Sequence, residues 1–301
     1  MVAWGEDHST QTPIDEPLAL SAPLALRLAS TLCHTDPATS QGCAWYHGPW
    51  QLFRLMGLVM TPVQHSNFYR TALAAVARPG TIPRVLVSAA ADYSILGHVL
   101  GTLRARKIDP EITVVDLCET PLVLNRWYAH RIAYPIQTCR RDIFEYGNSR
   151  PFDIICTHSF LGRFPPEQRA RLVKKWYDLL RPGGAVITVN RIQPTASTER
   201  KSFSPEQARA FRDAVSRAAA SLPLSTPIEP LELARQADLY TTHQHVYPVG
   251  TREDFVGLFE RSGFTVEHIS WAPIEAGARG DVSGPGVPGT SEYGRIIATR
   301  P

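Results

Sequence analysis

The sequence predicts an α/β fold: a doubly wound parallel sheet closed by an antiparallel last strand. Between residues 84 and 191, β-like runs such as RVLVS and EITVVD alternate with segments of helical periodicity. Acidic residues stand where several of these runs end. Strands that alternate with helices form parallel sheets, which bind ligands outside the carboxyl ends of their strands. We therefore expect a ligand site at that edge of the sheet.

The core elements are expected in a regular order. Strands are predicted at about 84–89, 111–116, 135–139, 152–157 and 185–192, and helices at 92–105, 120–132 and 166–180. The last of these helices meets Arg181-Pro182-Gly183-Gly184, a strong signal for a helix end. Thr251 and Gly263 bound a further helix. The two final strands, 265–274 and 291–300, are joined only by a Gly/Pro-rich loop that we expect to be mobile, so they should be antiparallel.

Two helical regions lie outside this core. Residues 1–80 are expected to form a loose tail and a helical N-terminal cap, with helical periodicity from about 17 to 77. Residues 81–301 form the core, with a helical insertion at about 193–250 that is split by the Pro-rich sequence SLPLSTPIEP. Both helical regions are expected to enclose an acceptor pocket.

Composition restricts the class of protein. The 301 residues carry a formal net charge of only +3, and the basic residues are scattered, so no nucleic-acid partner is expected. Neither an apolar leader nor a run long enough to span a membrane is visible, which favours a cytoplasmic protein without a membrane partner. The five cysteines form no C-x-x-C pair and are expected to be reduced, and no metal site is expected. The oligomeric state stays open, a homodimer included.

One block is specific enough to carry a family resemblance. The sequence PFDIICTHSFLGRFPPEQRARLVKKWYDLLRPGGAVITVNR, with seven strands and a closing antiparallel pair, resembles the class I S-adenosylmethionine-dependent methyltransferases of the small-molecule type. The resemblance covers roughly residues 84–301. It implies a Rossmann-like seven-stranded sheet, S-adenosyl-L-methionine as cofactor, and N-, C- or O-methylation of an aromatic, heteroaromatic or amino-acid-derived compound of secondary metabolism.

The resemblance also implies where the cofactor is bound. VLVSAAADY stands where the family has spaced glycines, so alanines replace residues that can adopt positive φ. Asp116 aligns with the acid that accepts both ribose hydroxyls, although it could be an ordinary acid at a strand end. Asp92 could contact the cofactor or only cap the next helix. The other implied cofactor contacts are Ser88, Ala89, Ala90, Leu117, Cys118, Asp142, Ile143, Thr157 and His158.

His158 is the candidate general base, because its position after the fourth strand and its ordinary pKa suit proton removal near neutral pH. It could instead pack beside the cofactor. Tyr93 could bond the acceptor or the cofactor, or pack in the core. The candidate acceptor-binding residues are Tyr46, His47, Trp50, Arg163, Tyr240, His243 and His245. The aromatic members could equally be core residues.

Three other functions compete with a small-molecule methyltransferase. A catalytically silent, cofactor-binding partner or regulatory subunit is favoured by the glycine-free AAAD turn. A nucleic-acid methyltransferase is disfavoured because THSF stands where an Asn/Asp-Pro-Pro-Tyr/Phe block is expected. A nicotinamide-dependent oxidoreductase is disfavoured because G-x-G-x-x-G is missing.

Overall fold

The computed structural model describes residues 15–33, 35, 42–78, 80–193, 199–220, 222–274, 285 and 291–301. The strands of this part of the chain are β1 Arg84–Ser88, β2 Glu111–Asp116, β3 Gln137–Arg140, β4 Phe152–His158, β5 Leu180–Ile192, β6 Lys201–Ser202, β7 His245–Val246, β8 Thr265–Pro273 and β9 Glu292–Thr299. Seven of them form one sheet in the order β3-β2-β1-β4-β5-β9-β8. β6 and β7 pair with each other as a separate antiparallel ribbon.

The large sheet is parallel from β3 to β5, whereas β9 is antiparallel to both β5 and β8. The strand order changes direction between β1 and β4. At such a switch point the connections leave on opposite faces and a cleft opens beyond the strand ends. The predicted α/β fold with an antiparallel last strand is confirmed.

The central strands are apolar because helices cover both faces of the sheet. Val85 and Val87 pack into one hydrophobic cluster, whereas Leu86, between them, packs into the other. All three side chains are fully buried. A continuous apolar run is what a parallel strand needs when both of its faces are covered.

The helices are α1 Leu18–Leu32, α2 Ala44–His47, α3 Trp50–Leu55, α4 Ser66–Val76, α5 Ser94–Ala105, α6 Glu119–Arg131, α7 Pro166–Leu179, α8 Pro205–Ala219, α9 Pro230–His243 and α10 Arg252–Glu260. Ser204 and Thr251 begin α8 and α10 through reciprocal capping bonds with the residue three positions on. Gly263 adopts φ +95° after α10, which confirms it as the expected terminator.

The N-terminal region and the insertion pack against each other. Leu52, Phe53 and Met56, in and just after α3, share a buried cluster with Phe211 of α8 and Tyr240 of α9. We call these five residues the cap cluster. The Phe53 ring lies 4.9 Å from the Phe211 ring and 5.0 Å from the Tyr240 ring, both edge to face. Two stretches that are far apart in sequence thus form one layer over the ends of the strands.

α4 belongs to the sheet rather than to this layer. Its Tyr69 and Leu73 side chains are buried in the same hydrophobic cluster as Val85 and Val87 of β1. The part of residues 1–80 that covers the strand ends therefore lies before α4. None of the described helices has both the length and the apolar character that crossing a bilayer requires.

Three local features differ from the sequence-based expectation. β5 begins at Leu180, before the Pro-Gly-Gly sequence, and Gly183 (φ +73°) donates its N–H to the Arg300 carbonyl at 2.7 Å. The periodic stretch around Trp50 forms two short helices rather than one, because Pro49 begins a new helix and Gly57 (φ +68°) follows its end. The β6–β7 ribbon was not predicted, since two-residue strands leave no periodicity.

The expected N-terminal tail and the expected mobile loop at 275–291 fall almost entirely outside the described residues.

Candidate functional site

A cavity of about 380 Å³ lies beyond the carboxyl ends of β1, β2 and β4. Its floor is formed by the turn 89–92 after β1, by Asp116 at the end of β2 and by His158 at the end of β4. The cavity is also lined by four residues of α2, α3, the segment after β4 and α9, which we call the roof: Tyr46, Trp50, Arg163 and Tyr240. The site therefore lies at the switch point of the sheet.

The floor turn contains an alanine in a glycine-like conformation. Ala89 has φ +64°, in the left-handed region, which costs an L-residue roughly 1–2 kcal/mol. Its N–H donates to the Val115 carbonyl at 2.9 Å, so the turn is held against β2. The expectation that an alanine would not adopt positive φ here is wrong. Backbone bonding and the close neighbouring strand impose the turn without a glycine.

Asp116 joins β2 to the floor turn. Its Oδ2 accepts the Ala90 N–H at 2.9 Å, and its Oδ1 accepts the Cys118 N–H at 2.8 Å. Burial raises the pKa of Asp116 to about 6 against the lowering effect of these backbone donors. Each oxygen keeps a second acceptor position, and the carboxylate lines the cavity.

Asp92 connects the floor to α3. Its Oδ1 accepts the N–H of Ser94, the first residue of α5, at 2.9 Å, and its Oδ2 lies 2.5 Å from Arg54 Nη1. Asp92 also lines the cavity. The N-cap residue of α5 is Tyr93, so Asp92 is not a plain N-cap; it bonds the first residue of the helix from one position further back, and Arg54 neutralises its charge within the protein.

His158 is held in one tautomer by Tyr69. The Tyr69 hydroxyl donates to the Thr157 carbonyl at 2.8 Å and lies 3.1 Å from His158 Nδ1. Because the phenol has one proton and gives it to the carbonyl, the hydrogen-bond network assigns the imidazole proton to Nδ1. Nε2 is then a lone-pair acceptor, and no described residue bonds it. Burial, assisted by nearby His65 and His98, lowers the pKa of His158 well below its ordinary value. The ring is therefore neutral, and the expectation that it keeps the ordinary pKa of a base near neutral pH is wrong: it is a weaker base than that.

The roof is aromatic and carries one cation. The Arg163 guanidinium lies 4.4 Å from the centre of the Tyr46 ring, and its Nη1 donates to Gln244 Oε1 at 3.0 Å. The Tyr46 and Trp50 rings are 5.0 Å apart. Burial raises the pKa of Tyr46, so the phenol is neutral. A flat apolar ligand could pack against these rings, with Arg163 available for an anionic substituent.

Tyr93 does not face the cavity. Its ring stacks on Tyr128 at 4.6 Å with an interplanar angle of 7°, and its hydroxyl lies 2.8 Å from the Ser21 hydroxyl. The side chain is fully buried. The expectation that Tyr93 acts on the acceptor is therefore corrected: its phenol is occupied in the core between α1 and α6.

Several expected cofactor contacts are not among the residues that line the cavity: Ser88, Leu117, Cys118, Asp142, Ile143 and Thr157. Ser88 accepts a bond from Trp176 Nε1 at 3.0 Å in the core, and Ile143 is buried in the hydrophobic cluster on that face. Leu117, in contrast, is 47% exposed beside Asp116. Asp142 accepts the Phe144 N–H at 2.9 Å in a local turn.

His243 and His245 do not form a joint surface of the cavity. His243 ends α9, and its ring lies 5.9 Å from the Trp45 ring. His245 begins β7 and its Nδ1 lies 3.1 Å from the His243 carbonyl. Because the helix continues to His243, the two are not in one extended segment, and their neighbours Gln244 and Val246 line the cavity instead.

Some site residues could not be recognised from the sequence. Arg54 and Tyr69 position Asp92 and His158, yet each lies far away in the chain. Four donor side chains, Cys33, Cys43, His47 and Cys118, also meet at the edge of the cavity. The spacing of Cys43 and His47, four apart on consecutive helical turns, is the one local signal of this cluster.

No family model matches the sequence, and no curated protein matches it. Solved structures that resemble the chain include the magnesium protoporphyrin IX methyltransferase of Synechocystis with bound S-adenosylhomocysteine (10% identity, 83% of this chain and 92% of that chain, TM-score 0.46). Another is the N-methyltransferase NodS of Bradyrhizobium japonicum, also with S-adenosylhomocysteine (12% identity, 79% and 86%, TM-score 0.45).

A third is the S-adenosylmethionine-dependent methyltransferase SibL in its apo form, with 18% identity over 95% of this chain and 70% of that chain and a TM-score of 0.44. At these scores the similarity does not bear on activity. The sheet order of the chain itself, with five parallel strands and a closing antiparallel pair, gives it the Rossmann-like seven-stranded fold expected of a class I methyltransferase.

Proposed function

We propose that the chain transfers a methyl group from S-adenosyl-L-methionine to a small aromatic, heteroaromatic or amino-acid-derived metabolite, by N-, C- or O-methylation. One observation carries the proposal. Asp116 and the turn 89–91, which consists of three alanines, line a single cavity at the switch point of the sheet. This is the place at which doubly wound sheets bind nucleoside cofactors, with an acid after the second strand on the ribose.

The floor fits an adenosyl cofactor in two respects. Asp116 keeps acceptor positions beyond those that Ala90 and Cys118 occupy, which suits two ribose hydroxyls. The turn 89–91 carries only methyl side chains, so a ligand can approach its backbone closely. Leu117 and Asp142 do not line this cavity, so they would contact the adenine where it extends past Asp116: Leu117, which is exposed, on one face, and Asp142 at the amino group.

The roof fits a flat acceptor. Tyr46, Trp50 and Tyr240 provide aromatic surface, and a volume of about 380 Å³ lies within the range of sites for small ligands. Arg163 would pair with a carboxylate on an amino-acid-derived acceptor. His47 lies at the edge of the cavity, whereas His243 and His245 would act only indirectly, through the position of α9.

The bound sulfonium supplies an electrophilic methyl group, and the protein provides alignment and a proton acceptor. His158 Nε2, neutral and without a described partner, would take the proton that an N–H, O–H or indole C–H acceptor loses. Tyr69 keeps the ring in the required tautomer through Nδ1. The roof excludes water from the reacting atoms.

Calorimetry with S-adenosylmethionine, S-adenosylhomocysteine and the nicotinamide cofactors tests which cofactor the chain binds. We expect dissociation constants on the order of micromolar for the first two only. Asp116→Asn, which removes the charge but keeps the shape, should weaken both at least about tenfold. Asp109→Asn is the matched control, because this carboxylate is 77% exposed. Binding of a nicotinamide cofactor, or normal binding by Asp116→Asn, would contradict the proposal.

Formation of S-adenosylhomocysteine from S-adenosylmethionine, measured with each member of a panel of aromatic and amino-acid acceptors, tests catalysis. Turnover with members of the panel supports the enzyme. Tight cofactor binding without turnover across the whole panel would instead support the silent-partner alternative, which the glycine-free turn favours.

A further inference from the structure

Three cysteines and one histidine form a compact group at the edge of the cavity. Cys33 follows α1, Cys43 precedes α2, His47 ends α2 and Cys118 precedes α6. Their sulfur and nitrogen donor atoms all lie within 4.8 Å of one another. We call these four residues the cysteine–histidine cluster. All five cysteines of the chain are among the described residues, and none is in a disulfide.

The distances within the cluster match those between the ligands of a tetrahedral metal. Zinc–sulfur bonds of about 2.3 Å and zinc–nitrogen bonds of about 2.0 Å place two sulfurs about 3.8 Å apart and a sulfur and nitrogen about 3.5 Å apart. Cys43 Sγ lies 3.5 Å from Cys118 Sγ, and Cys33 Sγ lies 3.7 Å from His47 Nδ1. Both separations agree within a few tenths of an ångström.

We propose that Cys33, Cys43, His47 and Cys118 bind one zinc ion. Three thiolates and an imidazole are a donor set that favours zinc over the harder cations, which prefer oxygen. Four protein ligands leave no open position, so the site is structural rather than catalytic. The buried Thr120 hydroxyl, 3.3 Å from Cys33 Sγ, supplies the outer-shell hydrogen bond that such thiolates commonly receive.

A disulfide explains the cluster less well. A bond between Cys43 and Cys118 requires their sulfurs to be about 2.05 Å apart, far closer than the 3.5 Å observed. It would also leave Cys33 and His47 next to the bridge without a role. A single tetrahedral ion accounts for all four side chains.

The ion would connect the N-terminal helices to the floor of the cavity. Cys33 and the Cys43–His47 pair come from the region before the sheet, whereas Cys118 lies two residues after Asp116 and donates its N–H to that carboxylate. Fixing Cys118 therefore fixes the orientation of Asp116. His47, expected from the sequence to contact the acceptor, would act as a ligand that holds α2 in place.

Elemental analysis of the chain, purified under reducing conditions without an affinity tag or chelator, tests the proposal. We expect about one zinc per chain. Cys33→Ser and Cys118→Ser should each lose most of the metal, and Cys139→Ser, a half-buried cysteine outside the cluster, should retain it. Full zinc content in Cys118→Ser would overturn the assignment.

Cobalt substitution of the wild-type chain keeps the proposal testable if the serine variants do not fold. A tetrahedral cobalt(II) ion with thiolate ligands gives intense absorption bands in the visible range, which zinc does not. Folded wild-type chain that binds neither zinc nor cobalt, or whose intact mass shows an oxidised pair under non-reducing conditions in place of the metal, would overturn the proposal. These measurements use no methyl acceptor, so their outcome is independent of the proposed activity.

Discussion

Arg54 Nη1 lies 2.5 Å from Asp92 Oδ2, in an ion pair whose side chains are 3% and 2% exposed. Arg54 is on α3, and Asp92 ends the turn that forms the cavity floor. The other guanidinium nitrogen, Nη2, lies 2.5 Å from Glu16. A buried charge that serves two carboxylates thus ties the N-terminal region to the floor, and removing it leaves both without compensation.

Arg54→Met is expected to destabilise the fold by about 3–5 kcal/mol, because it leaves the buried Asp92 carboxylate without a counter-charge. Urea unfolding measures this. The double variant Arg54→Met/Asp92→Asn should lose less free energy of unfolding than the two single variants lose when their losses are added. Arg104→Met is the matched control: its partner Asp109 is 3.8 Å away and 77% exposed, so the cost should stay below about 1 kcal/mol. Equal costs for the two arginines would contradict the buried pair.

Ala89→Gly is expected to be neutral or to stabilise the protein by up to about 1 kcal/mol, since glycine removes the strain of φ +64°. Ala90→Gly relieves no such strain and should destabilise it by about 0.5–1 kcal/mol through the entropy of the unfolded chain. Thermal unfolding of both variants checks the difference. The interpretation fails if Ala89→Gly is the more damaging of the two.

Tyr93→Phe is expected to cost about 1–2 kcal/mol while turnover stays unchanged. The ring keeps its stacking on Tyr128, but the buried Ser21 hydroxyl loses one of its two hydrogen bonds and keeps only the one that it donates to the Pro17 carbonyl at 3.3 Å. Chemical unfolding and a turnover assay, run on the same preparation, separate the two effects. A large loss of turnover without loss of stability would show that Tyr93 takes part in the reaction.

His158→Asn is expected to lower kcat by about 10²–10⁴-fold with cofactor affinity nearly unchanged, because a proton acceptor is lost. Tyr69→Phe, which releases the ring but leaves it in place, should lower kcat less. His245→Asn serves as the control outside the cavity. Steady-state kinetics and calorimetry give both quantities, and undiminished kcat in His158→Asn would exclude the base.

Stability is expected to fall as the pH drops below about 6.5, because buried histidines stay neutral in the folded chain. Burial lowers the pKa of His98 to about 4, and burial with the nearby Arg295 lowers that of His65 to about 4. Over this window the unfolded chain binds protons that the folded chain does not. Each such histidine then lowers the free energy of unfolding by up to about 1.4 kcal/mol for each pH unit.

Urea unfolding at about pH 7 and about pH 5 measures this loss. His98→Gln removes one of the buried histidines, which also include His158, so the stability of this variant should depend less steeply on pH. A wild-type stability that does not change between these pH values would show that the histidines are accessible to protons in the folded chain.

The sheet could be predicted because its signals are local. The run Val85–Val87 is apolar at every position, and Asp116 is the last residue of a strand with a similar apolar run. Their relative placement then follows from the geometry of parallel sheets, which brings successive carboxyl ends to one edge. The same reasoning placed His158 at the end of β4.

The contacts that position these residues could not be predicted, because they join distant parts of the chain. Arg54 and Asp92 are 38 residues apart, and Tyr69 and His158 are 89 apart. Tyr93 shows the same limitation: its place at the start of a helix was visible, whereas its direction depends on Ser21 and Tyr128. His243 and His245 were misplaced because the pattern did not show that α9 continues to His243.

The cap cluster has a consequence for how ligands reach the cavity. Phe53 precedes the sheet in the sequence, and Phe211 and Tyr240 follow β5, yet the three rings pack against one another. Neither stretch can swing away alone without exposing aromatic surface to water. Entry and exit would therefore require both stretches to shift together as one rigid lid, or a path through the side of the cavity that leaves the lid shut.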